Sequence, residues 1–153
     1  MKKLVPFRQL AVAAAVIFLA YACAVRSATA DLKLRAQLVW GTNNDKPDDP
    51  KLKEVDQQVK DKLRGVFKWK NYFEVNRQSF TVIASAPKKV RMSDLCEIEV
   101  QNLGNSSVEL KLYGKGKMVV RKTQKIKSGE LLVLAGDDKN DTAWFVVLSL
   151  IER

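Results

Sequence analysis

From Lys111 to Lys127 the chain reads KLYGKGKMVVRKTQKIK, with seven cations and no anion. Lysines and arginines concentrated in this way attract anionic polymers, lipid head groups or an acidic protein surface. Folding the segment as a hairpin about Gly114-Lys115-Gly116 sets Tyr113 opposite Lys117, Lys111 opposite Val119 and Glu109 opposite Arg121. The odd-numbered side chains then share one basic face, while Leu112, Met118 and Val120 point inward. Lys111, Lys115, Lys117, Arg121, Lys125 and Lys127 are the candidate contacts to an anionic partner, with Tyr113 as an anchor. The plainer alternative is a solvated hairpin whose lysines keep an exposed edge from pairing with other strands. Nucleic acid suits the stripe less well, because only Tyr113 offers a base a surface on which to stack.

Other chemistries find less support. The 153 residues include no His, which removes the usual general base, the Ser-His-Asp and Cys-His pairings and His-liganded zinc. Cys96 shares strand parity with Ile98 and Val100 and has no His to activate it, so it reads as a buried thiol. Glu97 and Glu99 fall on a polar strand face, where solvated carboxylates are expected. Asp137, Asp138, Asn140 and Asp141 could offer oxygens to calcium, but they lack the regular donors and closing bidentate Glu of a dedicated loop. An Asp- and Asn-rich turn needs no metal. Trp40, Trp69 and Phe73 take the apolar parity of their strands and read as core. Tyr72, between Lys70 and Glu74 on the polar face, is the exception, and the aromatic of choice if one of them contacts a ligand. No catalytic residue, metal site or cofactor is assigned.

The elements that must carry these residues follow from periodicity. Leu32, Leu34, Ala36, Leu38 and Trp40 alternate with polar residues as a strand, and Gly41 to Pro50 is a loop. Leu52, Val55, Val59, Leu63 and Val66 then recur every three or four residues, which predicts one amphipathic helix over about 50–65, capped by Asp49 and ended by Gly65. Strands follow around Phe67 to Val75, Phe80 to Ala84, Lys88 to Met92, Cys96 to Gln101, Val108 to Tyr113, Lys117 to Ile126 and Leu131 to Ala135. Thr142 to Ile151 is apolar on both faces, as in a strand covered on each side. The fold class is α+β: an antiparallel sheet or sandwich of seven to eight strands with the helix inserted after the first.

The chain opens with Lys2, Lys3 and Arg8, followed by an uncharged run from Leu10 to Val25 and the small-residue pattern Ala28-Thr29-Ala30. This is the pattern of a signal peptide over residues 1–30, cleaved after Ala30, ahead of a single β-rich domain over 31–153. The alternatives are a retained anchor and lipidation at Cys23. As a helix the uncharged run spans only about 24 Å, against a hydrocarbon core of roughly 30 Å. Of the 27 Lys and Arg, four lie in the leader, so 23 remain against 17 Asp and Glu. The expected protein is an exported, periplasmic or cell-envelope binding or accessory domain, not an enzyme, that meets an anionic partner through the hairpin. A structural subunit of an envelope assembly, joined through sheet edges, is the alternative, and a carboxylate-based hydrolase stands behind it.

Overall fold

A strand that is apolar on both faces must have a cover on each, and in the computed structural model Thr142–Glu152 has both. The structure describes residues 29–136 and 142–152. In chain order the elements are β1 (Leu32–Thr42), β2 (Lys53–Glu54), the helix α1 (Gln57–Arg64), β3 (Asn71–Val82), β4 (Lys88–Ser93), β5 (Cys96–Gly104), β6 (Ser107–Gly114), β7 (Lys117–Lys125), β8 (Leu131–Ala135) and β9 (Thr142–Glu152). They form two antiparallel sheets, one of five strands in the order β2, β3, β1, β9, β8 and one of four in the order β4, β5, β6, β7. The described residues thus hold nine strands: the two-residue β2 is unexpected, and the runs expected separately around Phe67 to Val75 and Phe80 to Ala84 form the one strand β3, which starts only at Asn71.

Two apolar cores result. Between the sheets, Leu34, Ala36, Leu38, Val146 and Leu148 meet Val90, Ile98, Val100, Leu110 and Leu112, all buried. On the far side of the five-stranded sheet, Val39, Tyr72, Phe145 and Val147 pack with Val59 and Leu63 of α1. Among the described residues the architecture is a mainly antiparallel sandwich with one helix, as the periodicities imply.

The helix is shorter than the expected 50–65. Its N-cap is Asp56, which accepts from the Val59 N–H at 3.0 Å. Asp49 accepts from the Lys51 N–H at 2.9 Å in a separate turn, closed by Leu52 N–H donating to the Asp49 carbonyl. The cause is long-range, because Lys53 and Glu54 pair with Glu74 and Phe73 at the sheet edge and cannot also be helical. Gly65 ends the helix, its N–H donating to the Asp61 carbonyl.

The cover provided by α1 corrects the reading of Tyr72, and a β-bulge corrects that of Val75. Leu38 pairs with Asn76 and Val39 with Glu74, so Val75 is skipped and the parity of β3 reverses beyond it. Phe73 then lies opposite Trp40, and Tyr72 opposite Gly41. Tyr72 is buried beneath α1, its ring centroid 6.0 Å from that of Phe145, and it faces no ligand. Burial pushes its hydroxyl above the usual tyrosine range. Val75, which the alternation placed in the core, is 43% exposed.

Candidate functional site

The hairpin of β6 and β7 turns on two residues, Lys115 and Gly116, with φ of 51° and 76°. Two residues of positive φ match the twist of the flanking strands, and only Gly116 adopts that conformation without steric cost. Gly114 therefore pairs with Lys117 and Tyr113 with Met118. The register then slips at Val119, so that Leu112 lies opposite Val120, Lys111 opposite Arg121 and Glu109 opposite Thr123. This replaces the expected register. The bulge also turns Met118 outward, where it is 55% exposed and not part of the core.

Beyond the bulge the odd-numbered residues do share the outer face, but acids from neighbouring strands share it with them. Lys111 Nζ lies 2.7 Å from Glu99 and 3.5 Å from Glu109, and Arg121 lies 2.7 Å from Glu109. Lys89 on β4 reaches Glu99 at 3.8 Å and Glu97 at 4.0 Å. The result is one charge ladder, Glu97-Lys89-Glu99-Lys111-Glu109-Arg121, across all four strands. The hydrogen bond from Arg121 holds the Glu109 carboxyl below its ordinary range, and the bond to Glu99 holds the Lys111 ammonium above its own. Lys127 lies 3.4 Å from Glu130.

Four cations of the stretch have no ion-pair partner among the described residues: Lys115, Lys117, Lys122 and Lys125, all exposed. Lys122 lies opposite Leu110, on the other face of β7 from Lys125. The strand that carries them is an open edge. The opposite edge of this sheet, β4, is occupied, because Asn76 and Gln78 of β3 donate to the Met92 and Arg91 carbonyls at 2.8 and 2.6 Å. No described strand pairs with the outer side of β7. Tyr113 is half-buried opposite Met118, close to the Lys115-Gly116 turn, and borders a small groove with Arg91 and Glu97.

A second feature had no sequence signal strong enough to announce it. At the end of the sandwich where the Lys115 turn lies, the sheets part around a cleft of about 420 Å³ lined by Leu38, Trp40, Leu95, Cys96, Val119 and Trp144, among others. Cys96 is buried there, as expected, and burial pushes its thiol up to about 11. Glycines make room for the Trp144 indole. A Cβ at Gly114 would meet it at 3.2 Å, and one at Gly136 would fall within the ring. Apolar Leu95 and Val119, set in and beside turns, are the only hint the sequence offers, and both are exposed.

No group of three metal-ligating side chains occurs among the described residues, and no helix among them is long and apolar enough to cross a membrane. The leader, residues 1–28, and the Asp137-to-Asp141 turn lie outside the described residues. Protein-family models, curated proteins and solved structures give no match to the chain.

Proposed function

We propose that this chain is an exported, non-enzymatic binding domain that meets an anionic partner along β7. Export rests on the leader pattern alone. The observation that carries the binding reading is the set of free cations, Lys115, Lys117, Lys122 and Lys125, on an edge strand that no described strand covers. Lysines with no acid beside them keep their field for a partner, whereas Lys111 and Arg121 are neutralised within the ladder. The partner class is an anionic envelope polymer, a lipid head group or an acidic protein surface. The same free edge supports the second reading, a structural subunit joined by strand pairing, which elutes as an oligomer where a binding domain elutes as a monomer.

The test is the triple variant Lys117→Glu, Lys122→Glu, Lys125→Glu, with Arg121 left in place because its loss would also break the ladder. The variant should leave a polyanion resin at much lower salt than the parent, while thermal stability changes by no more than about 0.5 kcal/mol. Retention equal to the parent's would return β7 to ordinary solvated edge.

A further inference from the structure

The cleft at the parted end of the sandwich is a different feature from the β7 edge. Its use does not rest on the edge reading, although Lys115 borders both. Its volume of about 420 Å³ falls in the range of small-ligand sites, roughly 300–1,000 Å³. Leu38, Trp40, Val119 and Trp144 make its walls apolar, and no Asp or Glu among the described residues lines it. Leu95 and Val119, 59% and 41% exposed, leave apolar surface at its lip that a bound molecule would remove from water.

One charge belongs to the lining, Lys115. Its backbone is held at the lip, because its N–H donates to the Leu95 carbonyl at 2.8 Å and joins the β6–β7 turn to the β4–β5 turn. Lys115 forms no ion pair with a described acid. An apolar recess with a single free cation at its rim is complementary to a molecule with a hydrocarbon body and one anionic end. We propose that the cleft binds a single-chain anionic amphiphile, with the chain against Trp40 and Trp144 between the sheets and the head group at Lys115.

Trp40 and Trp144 report occupancy directly, because both line the cleft and Trp69 does not. The full chain is titrated with dodecanoate below its micellar concentration, and tryptophan emission is followed. A saturable blue shift is expected. Lys115→Glu should weaken dodecanoate by at least about tenfold and favour dodecyltrimethylammonium instead, since a charge-assisted contact becomes a repulsive one. Lys115→Gln, which keeps the side-chain length, should fall between. Val119→Phe, at an exposed lip position, should abolish the saturable shift by filling the mouth while circular dichroism stays unchanged. The proposal is overturned if dodecanoate gives no saturable shift, or if the parent and Lys115→Glu bind it equally. The β7 triple variant should keep dodecanoate binding while losing the polyanion, so either reading can fail without the other.

Discussion

Replacing Leu63 by Ala tests whether α1 is bound to the sheet as described. Leu63 has no solvent exposure, and with Val59 it is one of only two buried residues in an eight-residue helix. Truncating a buried Leu to Ala costs about 2–5 kcal/mol, the higher values arising where the surroundings cannot collapse into the cavity. A helix of two turns on a sheet surface can settle, so the lower half of that range, about 2–3.5 kcal/mol, is expected here. For a domain of this size each kcal/mol moves the unfolding midpoint by roughly 3–5 °C, which gives a fall of about 10 °C. The control is Val66→Ala, at a residue 68% exposed just beyond the helix, expected to cost no more than about 0.5 kcal/mol. Thermal unfolding followed by far-ultraviolet circular dichroism gives both midpoints. If the Leu63 variant melts within about 2 °C of the control, α1 does not seal the second core and its packing is wrong.

The charge ladder should show itself in pH. Glu109 has a lowered carboxyl value in the folded state, so its contribution is full above the unfolded value of about 4.3 and is lost as pH falls through the folded one. Glu109→Gln should therefore lower the melting temperature at neutral pH, with a gap to the parent that closes in acid and narrows in salt; a gap that persists in acid would remove the ladder as its source. In a Cys23→Ser background, Cys96 should alkylate slowly at pH 8 in the native state and rapidly in denaturant, because burial holds its thiol up at about 11. Equal rates by mass spectrometry would mean that the site is open. Gly136→Ala should destabilise by about 1–3 kcal/mol and alter the Trp144 emission, because the added methyl falls where the indole now lies. Unchanged melting and emission would show that the indole has room to spare.

What the sequence made legible is what local alternation determines. Cys96, Ile98 and Val100 on β5, and Val108, Leu110 and Leu112 on β6, are buried as their parity requires, because each strand carries its own inside and outside. β9 announced two covers by being apolar throughout. The errors come from contacts between distant segments and from bulges, among them the one at Val119 that shifts the hairpin register. Tyr72 does share a face with Glu74, as its parity implies, but α1 covers that face, and the helix's docking cannot be read from the strand; the bulge at Val75 displaces Val75 itself, and no composition signals it. The helix start was misplaced because Lys53 and Glu54 are claimed by β3, far along the chain. Of the candidate contacts, Lys111 looked free only while the hairpin was viewed alone. Glu99, which neutralises Lys111, comes from the neighbouring strand, whereas Glu109 lies in the hairpin itself, opposite Arg121 in the expected register, so that pair was legible from the sequence. Even parity points Lys122 inward, yet at a sheet edge the inward side is open to solvent, and Lys122 is exposed.

The five-stranded sheet divides the interior into two compartments that share a wall but no volume. β9 sends Val146, Leu148 and Leu150 into one and Phe145 and Val147 into the other. Substitutions deep in opposite compartments have few common neighbours, so their effects on stability should add. Such a chain can vary the layer beneath its helix without renegotiating the layer between its sheets. The lining of the cleft belongs mostly to that second layer, at the end where the sheets part. Its shape and polarity can therefore drift toward a new occupant while the helix-side core, untouched, continues to hold the fold.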